Sequence, residues 1–176
     1  MSEFPQNHTK IMGIINATPD SFFAESRLVD NIAIDFQKYK HADIVDVGFE
    51  SSRPGANPIS EIDELNRLNY FLKHVSNFKQ TLSIDTYKPQ ISKFALENGF
   101  NMINDISGGG KNGEMLEIAA LFNCPIVIMH MQGNPLTMQN GPIYDDIMDE
   151  LKHYFESQIE LASNIGLKDS QIIIDP

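Results

Sequence analysis

The 176 residues carry 24 Asp and Glu against 13 Lys and Arg, a formal net charge of −11, which argues against sequence-independent binding to nucleic acid or to an anionic membrane surface. With 41% hydrophobic residues and nothing resembling an interdomain linker, the chain is expected to bury one core as a single domain over residues 1–176. The lone cysteine, Cys124, has no partner for an internal disulfide and reads as a buried free thiol in a reducing compartment. No apolar run approaches the length of a membrane span, so the expectation is a soluble, cytoplasmic protein.

In chain order, Met1 to His8 is a polar arm and Lys10 to Ile15 is the first predicted strand, running into the turn-rich loop Asn16-Ala17-Thr18-Pro19-Asp20-Ser21-Phe22-Phe23. A weakly patterned helix is expected over Val29 to Lys40, and Asp43 to Val47 is the second strand, followed by the long loop Gly48 to Pro58. Ser60 with Asp63 resembles a capping box, after which Ile62, Leu65, Leu68, Leu72 and Val75 fall at helical spacing. The third strand, Thr81 to Asp85, ends in an acid, and Pro89 suits the first turn of a helix carrying Ile91, Phe94 and Ala95 that Asn98-Gly99 can close.

Met102-Ile103 then runs into Asn104-Asp105, and Met115, Ile118 and Ala119 mark a short helix. Ile126 to Met129 runs into His130, and Ile147, Met148, Leu151, Phe155, Ile159, Ala162 and Ile165 trace a long helix stopped by Gly166. Gln171 to Asp175 is the last strand. Strict alternation of strand and helix implies parallel strands with helical crossovers, and polar residues after every strand favour a barrel, whose strand ends all meet on one face. The expected fold is therefore an α/β, TIM-type (β/α)8 barrel. Such barrels run to about 250 residues, so this one is incomplete, with about six βα units and the last two absent, and Ile14 and Ile84 are expected to line it.

Gly108-Gly109-Gly110-Lys111 has neither the spacing nor the following Ser or Thr of a phosphate loop. His130 and Cys124 lack partners at ligand spacing, so no zinc site is expected and His130 reads as structural. A lone Asp85 or Asp175 would be read as a helix cap. Together with Asn104, at three strand ends of one barrel mouth, they offer acceptors and a donor to a flat ring, and a carboxylate suits a guanidine-like N–H pair. Ser51-Ser52-Arg53 supplies hydroxyls and a fork of donors suited to phosphate.

Six ordered motifs resemble dihydropteroate synthase: Met12-Gly13-Ile14-Ile15-Asn16-Ala17-Thr18-Pro19-Asp20-Ser21-Phe22, Glu50-Ser51-Ser52-Arg53-Pro54-Gly55, Ser83-Ile84-Asp85-Thr86, Ile103-Asn104-Asp105-Ile106-Ser107-Gly108-Gly109, His130-Met131-Gln132-Gly133 and Ile174-Asp175-Pro176. The resemblance implies a transferase of folate biosynthesis, the sulfonamide target. It would join 6-hydroxymethyl-7,8-dihydropterin pyrophosphate to p-aminobenzoate and release pyrophosphate. It further implies that Asp85, Asn104 and Asp175 hold the pterin, that Asn16 meets a magnesium ion accompanying the pyrophosphate, and that Ser52 and Arg53 help hold the anion. Phe22 and Pro54 would wall the aminobenzoate site, and Asn16, Arg53 and Asp85 would be the catalytic set.

Small-molecule substrates are the implied partners, without nucleic acid or membrane, and a homodimer is the assembly the resemblance allows. Two departures stand out: Phe49 replaces a family glycine, and Phe23-Ala24-Glu25-Ser26 replaces the family's acid and glycines. The family's later lysine, serine, arginine and histidine motifs do not occur. The rival readings are a pterin-binding methyltetrahydrofolate methyltransferase domain, against which the Thr-Pro-Asp-Ser-Phe and Ser-Arg-Pro loops speak, and a non-catalytic paralogue.

Overall fold

The computed structural model describes residues 9–17, 36–50, 58–74, 79–132 and 141–176. Six strands, β1 Met12–Asn16, β2 Ile44–Gly48, β3 Thr81–Asp85, β4 Met102–Asp105, β5 Ile126–Met129 and β6 Ile172–Asp175, form one sheet in sequential order, each parallel to its neighbours. Four helices cross over between them: α1 Glu61–His74, α2 Pro89–Glu97, α3 Glu114–Phe122 and α4 Ile147–Ile165. Sequential order, with one helix in each crossover from β2 to β6, is the connectivity of a (β/α)8 barrel, here with six of its strands.

The period of two along each strand divides the buried residues into two layers. Ile15, Val45, Val47, Ile84, Ile103, Ile126 and Ile128 face the helices and pack against Leu68, Phe71, Ile91, Ala95, Met115, Leu116, Phe155 and Ala162. Ile44, Met102 and Val127 form a second, smaller cluster with Met12 and Ile173 on the other face. That second face is the barrel interior. Ile84 has the opposite parity and is fully buried under the helices, so the expectation that it lines the barrel is corrected. Ile14 does point inward and is 63% exposed on the edge strand.

Local signals account for most boundaries. Ser60 Oγ accepts from Asp63 N and donates to Asp63 Oδ2, capping α1. Pro89 opens α2, Gly99 follows it at φ 100°, and Gly166 at φ 109° closes α4. The helix expected over Val29 to Lys40 is described only from Phe36, where a 3-10 turn runs Phe36–Tyr39; the remainder lies outside the described residues. The α1 stripe holds at Leu65, Leu68 and Leu72, which pack against the core, but its buried face is turned slightly: Ile62 is 71% exposed, while Glu64 is 1% exposed and Phe71 joins the packing. Val75 lies outside the described residues. The rotation lets an acid, which apolar periodicity cannot register, meet a buried cation. Ile147 and Met148 at the start of α4 are likewise exposed, and Phe155 and Ala162 anchor it.

Candidate functional site

Four residues from four strands stand in one register row: Asn16 beside Gly48, Gly48 beside Asp85, and Asp85 beside Asn104. β1, β2 and β3 end there and β4 one residue further on, so the row forms a rim around the inner face. Gly48 contributes no side chain, and a Cβ on it would lie 3.0 Å from Asp85 Oδ2. The Asp85 carboxyl therefore occupies the space above the glycine. Burial pushes its pKa up to about 7, and the negative charges of Asp46, Glu64, Asp105 and Glu50 add to the effect. Asp175, on β6, pairs in register with Met129, two residues beyond Val127, the neighbour of Asn104, and its side chain is exposed. Phe22, Ser52, Arg53 and Pro54 lie outside the described residues.

Asn104 differs from expectation in what it offers. Its Nδ2 donates to Asp46 Oδ2 at 2.9 Å, so part of its donor capacity is already used and its Oδ1 is left as an acceptor. Asp46 escaped the sequence reading because it sits inside an apolar run, yet it lies two residues from Gly48 and so shares its face. That spacing was the available signal. Burial raises the Asp46 pKa, while the Ser83 hydroxyl and the Asn104 amide pull it partly back.

A second network joins Glu50 to residues on both sides of β3. The Lys88 ammonium donates to Glu50, to Glu64 Oε2 at 2.6 Å and to the Ile59 carbonyl at 2.9 Å, which uses all three of its donors. Thr86 Oγ1 donates to Glu64 Oε1 at 2.8 Å and Tyr87 OH to Glu50 Oε1 at 2.9 Å. Burial works against the Lys88 charge, but its hydrogen bonds to Glu50 and Glu64 outweigh it and leave its pKa raised. One cation thus ties Glu50, Ile59 and Glu64 to the chain three residues past Asp85. Phe49 does not crowd the site: it is fully buried on the helix side, edge-on to Phe71 with centroids 5.5 Å apart.

The glycine-rich stretch is occupied internally. Asp105, fully buried, accepts from Ser107 N at 2.8 Å, Ser107 Oγ at 2.6 Å and Gly109 N at 2.7 Å, so these backbone donors are committed to a carboxylate of the same chain. His130 packs edge-on to Tyr154, centroids 4.9 Å apart, while Tyr154 OH donates to the Met129 carbonyl. Cys124 is buried and free, its pKa pushed up by burial to about 11, as suits an inert core thiol. Among the described residues no group of three or more His, Cys, Asp and Glu could hold a metal ion. Asn16 offers one neutral oxygen donor at an exposed strand end, which fits a magnesium ion held mainly by water and phosphate oxygens. Among the described residues no helix is long and apolar enough to cross a membrane.

The family described as pterin binding enzyme matches residues 12–176. The chain is 37% identical over 174 residues to the dihydropteroate synthase of Synechocystis, covering 96% of this chain and 60% of that protein. It is 38% identical over 177 residues to the dihydropteroate synthase of Escherichia coli, covering 97% and 62%. The solved Xanthomonas albilineans dihydropteroate synthase with 4-aminobenzoic acid superposes with a TM-score of 0.81 at 32% identity, over 97% of this chain and 62% of that one. The chain thus spans about three fifths of the length of these relatives.

Proposed function

This chain belongs to the pterin binding enzyme family, and from that premise we propose that it is the pterin-holding part of a dihydropteroate synthase. The whole protein condenses 6-hydroxymethyl-7,8-dihydropterin pyrophosphate with p-aminobenzoate. The observation that carries this reading is the rim itself: Asp85 and Asn104 stand side by side at strand ends over a glycine, with Asp46 beneath. A flat ring edged with N–H groups needs adjacent acceptors on a rigid wall and no side chain in its plane, and Gly48 supplies that clearance.

In the proposed reaction the carbon–oxygen bond to pyrophosphate breaks first, its electron pair leaving with the pyrophosphate; the aniline nitrogen then bonds to the methylene carbon and gives up one N–H proton to solvent or to the departing pyrophosphate. Asp85 holds the ring and its charge eases the positive character that develops at the methylene carbon. Asp175 adds a further acceptor, Ser52 and Arg53 hold the pyrophosphate, Phe22 and Pro54 wall the aminobenzoate, and Asn16 would hold magnesium. When bound, that ion supplies charge to stabilise the departing pyrophosphate. A homodimer working in the cytoplasm is part of the same proposal.

The test is turnover. The whole protein given both substrates should release pyrophosphate, and Asp85→Ala, folded by circular dichroism, should lose most pterin affinity, since a hydrogen bond to a charged group contributes about 1.5 to 3 kcal/mol. Unchanged pterin affinity in the folded variant overturns the assignment.

A further inference from the structure

Asp46 is 4% exposed and lies one tier below the rim, in register with Ser83 on β3 and Ile14 on β1. It is too deep to be an ordinary surface acid. Its Oδ2 accepts from Asn104 Nδ2 across the inner face, from β2 to β4, at 2.9 Å. The fully buried Ser83 hydroxyl stands next to the carboxylate without a well-formed hydrogen bond to it, so the Asn104 amide is the partner with defined geometry. A buried carboxylate held chiefly by one amide calls for a reason.

The reason lies in what a carboxylate does to a neighbouring amide. The two ends of an asparagine side chain are nearly the same size, and an amide free to turn over presents either a carbonyl or an NH₂ to a ligand. An ionised carboxylate accepts only. It can pair with the NH₂ end of Asn104 and repels the carbonyl end, so one orientation is enforced. We propose that Asp46 is a positioning residue that locks the Asn104 amide with its Oδ1 toward the rim, and so sets which pattern of ring donors and acceptors the site accepts. This deepens the pterin-site reading above and rests on it. Asp46 acts through Asn104 without itself reaching the ring.

The prediction concerns selectivity. Replacing the ring's 2-amino group by an oxo group turns a donor into an acceptor at the same size, so 6-hydroxymethylpterin and 6-hydroxymethyllumazine probe the orientation directly. In the whole protein, the pterin-over-lumazine ratio of Kd values should narrow by about tenfold or more in Asp46→Asn, because an amide at position 46 tolerates either orientation of Asn104. In an Asn104→Ala background the same change should have no further effect on the ratio. Should Asp46→Asn fail to fold, Asp46→Leu removes the acceptor at similar volume and is read in the same way. A ratio unchanged in a folded Asp46 variant overturns the proposal, as does equal narrowing with and without Asn104. Asp85→Asn serves as the control: if it too leaves pterin affinity intact, the pterin site itself is misplaced, whereas a loss there with no Asp46 effect rejects only the positioning role.

Discussion

Lys88 Nζ lies 2.6 Å from Glu64 Oε2, with the side chains 11% and 1% exposed, and joins the first turn of α1 to the start of α2. Such a pair gives little net stability relative to apolar packing, but breaking it strands a charge. Lys88→Met leaves Glu64 and Glu50 without their cation, and we expect a loss of about 3 kcal/mol or more in urea unfolding. Adding Glu64→Gln to Lys88→Met should recover a substantial part of that loss. An unchanged urea midpoint for the single variant would show that the clamp does not hold the fold together.

The raised pKa of Asp85 has a sign that can be read in stability. Its carboxyl is pushed from an ordinary value of 3.8 to about 7, so between those limits the folded state binds more protons than the unfolded state. Stability therefore falls as pH rises through that window. Asp85→Asn should be the more stable protein at pH 8, by at most about 4 kcal/mol, and the difference should vanish below about pH 4. Melting curves of both proteins from pH 4 to 8 check this; parallel profiles would mean that Asp85 ionises normally.

Gly48 tests the clearance around that carboxyl. A Cβ there would stand 3.0 Å from Asp85 Oδ2, so the acid must give by a few tenths of an ångström, while the backbone itself is unstrained. Gly48→Ala should lower pterin affinity by about tenfold through misplacement of the acceptor while changing stability by less than about 1 kcal/mol. Calorimetry and urea unfolding on one preparation separate the two effects. An alanine variant with full affinity would mean that Asp85 does not need that position.

The strands were legible because each short apolar run ends in a polar residue, and the register then brings Asn16, Asp85 and Asn104 into one row as that pattern implied. Three features were not. Asp46 is hidden in an apolar run, and only its spacing from Gly48 betrays the shared face. Glu64 and Lys88 look like surface charges at helix starts, and what buries them is each other, a relation between residues 24 apart that no local pattern carries. The orientation of Asn104 follows from a partner 58 residues away. Local periodicity reports which face a residue takes; pairing between distant polar groups does not enter it.

Because every strand bonds only to those before and after it in the chain, the sheet can grow in the order of synthesis, with no gap left for a later strand to fill. Each addition closes a loop of one βα unit, so the entropy of ordering is met in small steps. The row at the rim inherits that timetable. Asp46 and Asp85 are placed when β3 docks, Asn104 reaches Asp46 as soon as β4 joins, and Asp175 arrives two units later. Asp46, Asp85 and Asn104 are therefore together once β4 has joined, before Asp175 is in place.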